Sequence, residues 1–188
     1  MFAQIVKDLK KFGVEFDVFS SENKIRQDGK VEEVKAELKP MCYEQDGATY
    51  LKTIQDGDDK DRVIVKSDGS YTYLLPDIAY HKTKYDRGFD QIIDVFGADH
   101  HGYIARLKSS MKSLGYDPEK FGIVIIQMVR LFKDGQEYKM SKRTGNAVSM
   151  RELISDVGVS ATRYYFVTRS GSSHLDFDID LAKSLSSD

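Results

Sequence analysis

A repeated pattern in the second half of the chain constrains its fold most. Gln91–Phe96 reads as a buried strand, and it leads into the loop Gly97-Ala98-Asp99-His100-His101-Gly102. Ile104, Leu107, Met111 and Leu114 then fall at helical spacing and stop at Gly115. A second run, Ile123–Val129, is apolar on both faces, as strands of parallel sheets are when helices cover both sides. It too leads into a polar loop and then a helical pattern. Strand, helix, strand, helix predicts an α/β fold with a parallel sheet.

The first half is more mixed. Phe2, Ile5, Val6, Leu9 and Phe12 predict a helix that stops at Gly13. Val14, Phe16 and Val18 alternate with Glu15 and Asp17, which predicts a short strand with one wet face. Residues 20–30 read as a polar loop, and Val31, Val34 and Leu38 as a helix ended by Pro40. Met41–Gln45 and Ala48–Ile54 flank Asp46-Gly47, a pair suited to the positive φ angles of a two-residue hairpin turn. Arg62–Lys66 and Tyr71–Leu75 flank Ser67-Asp68-Gly69-Ser70 as a second hairpin, so residues 41–75 read as a β-hairpin insertion or the edge of a larger sheet. Pro76–Arg87 reads as a helix with proline in its first turn and Gly88 past its end. Ser149 and Glu152 form a capping box for a helix over Met150–Val157, and Ser160 is placed to cap the next, through Tyr164, Tyr165 and Val167.

Charge and composition exclude several classes. Against 28 Lys and Arg stand 30 Asp and Glu, so the chain does not bind nucleic acid by bulk positive charge. The acidic excess lies in the first hundred residues and the basic excess in the remainder, where an anion site is expected. No apolar run approaches the ~20 residues that span a bilayer, and Met1-Phe2-Ala3-Gln4 does not open a secretory signal. Cys42, the single cysteine, makes neither an internal disulfide nor a cysteine metal cage. The expectation is a cytoplasmic protein with no membrane partner and no metal site of its own.

Two clusters carry chemistry. In the loop 97–102, Gly97 permits close backbone approach to a ligand, and Asp99 can accept from a sugar hydroxyl or an ammonium. A solvated polar loop is the competing reading. In Lys139-Met140-Ser141-Lys142-Arg143-Thr144-Gly145-Asn146, three cations among small hydroxyl residues suit a loop that closes on phosphates, although no Walker-type glycine loop occurs.

Lys-Met-Ser-Lys at 139–142 is similar to the second signature of class I aminoacyl-tRNA synthetases. Tyr73-Leu74-Leu75-Pro76-Asp77-Ile78-Ala79-Tyr80, Gly97-Ala98-Asp99-His100, Lys139 to Asn146 and Phe177-Asp178-Ile179-Asp180, in that order, resemble the arginyl-tRNA synthetase family. The resemblance implies the second half of a Rossmann-like catalytic domain. The hairpin insertion would occupy about 41–75, the Rossmann half with the signature loop 76–148, and a helical connection toward an anticodon-binding domain 149–188. It implies an enzyme that activates L-arginine with ATP, accompanied by Mg2+, and transfers arginine to tRNA(Arg). By that resemblance Lys142 and Lys139 stabilise the leaving pyrophosphate, and Met140 and Ser141 shape the phosphate loop. Met128 and Val129 hold adenine through backbone groups, and Gly97 and Asp99 lie by the ribose and amino acid. Tyr73 and Asp77 recognise the arginine side chain, with His100 near the substrate. A carboxylate meets a guanidinium in a planar, bidentate fork, and an aromatic ring suits a cation.

The family's first signature, His-x-Gly-His, is not present: the four histidines are His81, His100, His101 and His174. The chain therefore reads as an excised segment, inactive alone, whose uncovered apolar faces would favour pairing of two copies. Another class I synthetase or related adenylate-forming enzyme, and a nucleotide-binding module without catalysis, are the alternative readings.

Overall fold

The computed structural model describes residues 1–138 and 148–185. The apolar stripe of the opening segment forms α1 (Phe2–Lys11), with Gly13 at φ +80° just beyond it. Val14–Val18 stays irregular, contrary to the expected strand: alternation makes a strand only where another strand offers hydrogen bonds, and among the described residues none pairs here. Residues 20–30, expected as a loop, contain α2 (Glu22–Gln27). Its signal is polar: Ser21 caps it by accepting from the Lys24 N–H, and Arg26 pairs with Glu22 one turn back at 2.7 Å.

Then follow α3 (Lys30–Leu38), which buries Val31, Val34 and Leu38, and the hairpin β1 (Cys42–Gln45) and β2 (Ala48–Leu51). Asp46 and Gly47 take φ +51° and +76° at its turn, with Gln45 opposite Ala48. β3 (Arg62–Val65) adds antiparallel to β2. The second expected hairpin is only begun. Val65 bridges Tyr71, and then α4 (Leu74–Asp86) starts inside the stretch expected as the strand Tyr71–Leu75. Leu74, Leu75, Ile78 and Ala79 are buried at helical spacing, and Pro76 sits in the first turn, where its missing N–H costs nothing.

β4 (Ile92–Gly97) pairs with β5 (Phe121–Ile126), and α5 (Ile104–Ser113) lies between them in sequence. The loop expected at 97–102 is wound into a 3-10 helix, Ala98–Tyr103. Burial on both faces is not found. Ile92 and Asp94 are buried, but Ile93 and Val95 are 55% and 66% exposed, and Val124 and Ile126 are exposed as well. The described residues cover one face of these strands only.

The run Ile123–Val129 is not one strand. It breaks at Gln127-Met128, where the Gln127 N–H turns to the Gly171 carbonyl at 2.8 Å, and resumes as β6 (Val129–Lys133). Asp134 and Gly135, at φ +52° and +71°, turn it into β7 (Gln136–Glu137). The capping box forms as expected ahead of α6 (Met150–Val157). α7 (Val159–Val167) takes Gly158 rather than Ser160 as its N-cap, because a backbone at φ +89° is already the corner between the two helices. β8 (Leu175–Asp178) runs parallel to β6, with Val129 opposite Leu175, and α8 (Ile179–Leu185) follows.

The chain divides into two units, Phe19–Val124 and the two-segment unit Met1–Val18 with Ile125–Asp188. The first packs Leu38, Leu51, Ile64, Leu75, Ile78, Leu107, Met111 and Phe121 into one core. The second packs Leu131, Leu153, Val157, Leu175, Phe177 and Ile179. Among the described residues, no helix is long and apolar enough to cross a membrane.

Candidate active site

The most developed cluster of expected site residues is in the Phe19–Val124 unit. Asp77 is in the first turn of α4, where the helix dipole favours a carboxylate. Its Oδ2 accepts a hydrogen bond from the Tyr103 hydroxyl at 2.6 Å. Burial, and then that carboxylate, push the phenol well above its ordinary pKa, so Tyr103 stays protonated and donating. The Arg106 guanidinium lies over the Tyr103 ring, 4.9 Å from its centre, and its buried Nε has no hydrogen-bond partner among the described residues. Asp77 is therefore aimed by a fixed phenol, and no described donor reaches its Oδ1. Among the described residues, that oxygen is left open to a further donor.

The strand end joins this cluster. The His100 ring stands edge-on to Tyr103, with centres 6.4 Å apart, and tilts against Phe96 at 5.6 Å. Its Nε2 is 3.7 Å from Asp99 Oδ2, and both side chains are exposed. A side chain at Gly97 would meet the Asp99 carboxylate at 2.7 Å, so glycine here lets Asp99 fold back beside the strand end. Tyr73, at the N-cap of α4, is 85% exposed, and among the described residues no hydrogen bond orients its side chain.

The other expected residues lie elsewhere. Met128 is 68% exposed at the break between β5 and β6, and Val129 opens β6; both belong to the two-segment unit. Lys139, Met140, Ser141 and Lys142 lie outside the described residues. Among the described residues, no group of His, Cys, Asp and Glu side chains could hold a metal ion. Tyr103 is the residue the sequence reading missed. Its only signal is an aromatic at the mouth of a helix after a glycine loop, and its partner is 26 residues away.

Residues 2–165 match the family described as "tRNA synthetases class I (R), catalytic domain". The chain belongs to this family. An arginine–tRNA ligase of Oceanobacillus iheyensis is 59% identical over 98% of the chain, and one of Geobacillus kaustophilus is 56% identical over 98%. In each case the match covers 34% of the relative, so the chain spans about a third of the length of these curated relatives. A solved structure from Campylobacter jejuni, 40% identical, superposes with a TM-score of 0.87 over 95% of the chain and 39% of its own. The Thermus thermophilus arginyl-tRNA synthetase, at 18% identity, shares the fold with a TM-score of 0.81 over 97% of the chain and 41% of its own. The mixed α/β architecture is thus that of the class I catalytic-domain fold.

Proposed function

We propose that this chain is the later half of the catalytic domain of an arginine–tRNA ligase. The complete protein would join L-arginine to ATP as arginyl-adenylate, with release of pyrophosphate, and pass the arginyl group to tRNA(Arg) in the cytoplasm. The observation that carries this reading is 59% identity to an arginine–tRNA ligase across 98% of the chain. The Asp77–Tyr103 pair supports it, because a carboxylate with one oxygen held by a phenol suits a planar cationic fork.

In this reading Asp77 and Tyr73 take the guanidinium, and His100 and Asp99 line the approach to the amino acid and ribose. Gly97 gives the backbone room, and Met128 and Val129 offer backbone groups to adenine. Lys142 and Lys139 neutralise charge on the departing pyrophosphate, Met140 and Ser141 shape that loop, and ATP enters as its Mg2+ complex. Catalysis of this kind is positioning and charge stabilisation.

The test is charging of tRNA(Arg) with labelled arginine by the full-length protein, run beside the other amino acids. Charging with arginine alone is expected; charging with a different amino acid, or with none, overturns the reading. Lys142→Ala is expected to lower kcat by about 10²–10³-fold with little change in KM for arginine. Asp77→Ala should raise that KM by about 10- to 100-fold, the worth of a hydrogen bond to a charged group. Equal effects of either substitution on both constants would count against its assigned role. The 188-residue chain alone is expected to show no exchange of pyrophosphate into ATP, with or without tRNA.

A further inference from the structure

His81 lies one helical turn after Asp77 and is 4% exposed. Its Nδ1 is 2.7 Å from the backbone oxygen of Asp77 itself. A carbonyl has no proton to give, so Nδ1 carries one and donates it. The other ring nitrogen, Nε2, is 2.6 Å from Oδ2 of Asp94, which is 8% exposed in the middle of β4. Oδ1 of the same carboxylate accepts from Lys84 Nζ at 2.5 Å. Burial alone would raise the Asp94 pKa, but the bonds from His81 and then Lys84 outweigh it and hold the group below the usual carboxylate range. Nε2 and the Asp94 carboxylate hold one proton between them, so both ring nitrogens are committed. Phe121 and Tyr80 close on it edge-on, at 5.2 and 5.5 Å between ring centres.

A leucine would fill such a space with no polar group to satisfy. Here the interior instead holds a three-member hydrogen-bonded network of His81, Asp94 and Lys84, which is costly to leave incomplete. One end of it terminates on an atom of the residue assigned to arginine. The other is on the strand that ends three residues later at Gly97, beside Asp99 and His100.

We propose that His81 is a positioning residue for amino-acid recognition: bonded to Asp94, it pins the first turn of α4 to β4, so that Asp77 keeps one geometry with respect to the strand end. This rests on the arginine–tRNA ligase reading and adds to it a residue that touches no substrate. The full-length protein tests it with two variants, His81→Gln and the double variant His81→Leu/Asp94→Leu. The double variant removes the network without stranding a buried Asp94 carboxylate, so it decides the matter if the single variant fails to fold. Both are expected to raise KM for arginine about tenfold or more, as small misplacements of a binding group do. KM for ATP and kcat at saturating arginine should stay within about threefold of wild type. A fall in melting temperature with an unchanged KM for arginine would make the network structural only and overturn the proposal. An equal rise in both KM values would overturn it too. Failure of the unmutated protein to charge tRNA with arginine would instead bring down the ligase reading, and this inference with it.

Discussion

The two units of the chain reach their cores by different routes. Phe19–Val124 is one continuous stretch in which β1, β2 and β3 follow one another antiparallel. The other is assembled from Met1–Val18 and Ile125–Asp188, and its central pair, β6 and β8, is parallel. Antiparallel neighbours need only a tight turn, whereas parallel neighbours need a long crossover. Here α6 and α7 supply it. The three-stranded sheet of the first unit is therefore built from strands close in sequence, and the parallel pair of the second depends on a distant one.

Substitution of the two fully buried phenylalanines tests this division most severely. Phe121→Ala and Phe177→Ala should each cost about 3–5 kcal/mol by opening a cavity. Hydrogen exchange should show Phe121→Ala deprotecting α3, α4 and β5, and Phe177→Ala deprotecting β6, β8 and α8. If either change deprotected both cores equally, the division into two units would fail.

Acid sharpens the contrast. Asp58 and Asp94, both in the continuous unit, are held below the ordinary carboxylate range although burial pushes them up: Arg62 bonds Asp58, and His81 and Lys84 bond Asp94. A lowered folded pKa adds stability above the unfolded value of about 4, and that stability is lost as pH falls through the folded pKa. Amides of Phe19–Val124 should accordingly lose protection first as pH falls from about 5 towards 2. Earlier loss in the other unit would contradict this.

A smaller effect belongs to the two-segment unit. Ser149→Ala removes the capping box of α6 and should cost about 1 kcal/mol, read as a lowered urea midpoint. An unchanged midpoint would mean that packing of Leu153, Ile154 and Val157 alone sets this helix. The smallest effect is chemical. Burial, and then Glu44, push the Cys42 thiol up to about 11, so it should react slowly with Ellman's reagent at pH 8 and promptly once urea unfolds the chain. Fast labelling of the native protein would mean that β1 opens readily.

Local rules made much of this molecule legible. Asp46-Gly47 and Asp134-Gly135 sit at positive φ, as hairpin turns require, and Gly13, Gly88 and Gly115 do so after their helices. The Ser149–Glu152 box announces α6 because both partners are three residues apart. Failures came where a local pattern competed with a distant partner. Val14–Val18 alternates like a strand but pairs with no strand among the described residues, and Tyr71–Leu75 gives way to a helix because Leu74, Leu75 and Ile78 find a core.

At the site, the residue types in α4 and in the glycine loop were readable from their order along the chain, since a carboxylate in a first turn and a glycine at a strand end are local facts. That Tyr103 aims Asp77, and that Asp94 holds His81 beneath it, is written nowhere in local spacing. Only the packing of α4 against β4 and the turn beyond it decides those bonds, because a hydrogen bond depends on where two chain segments meet, and burial sets how much each one matters.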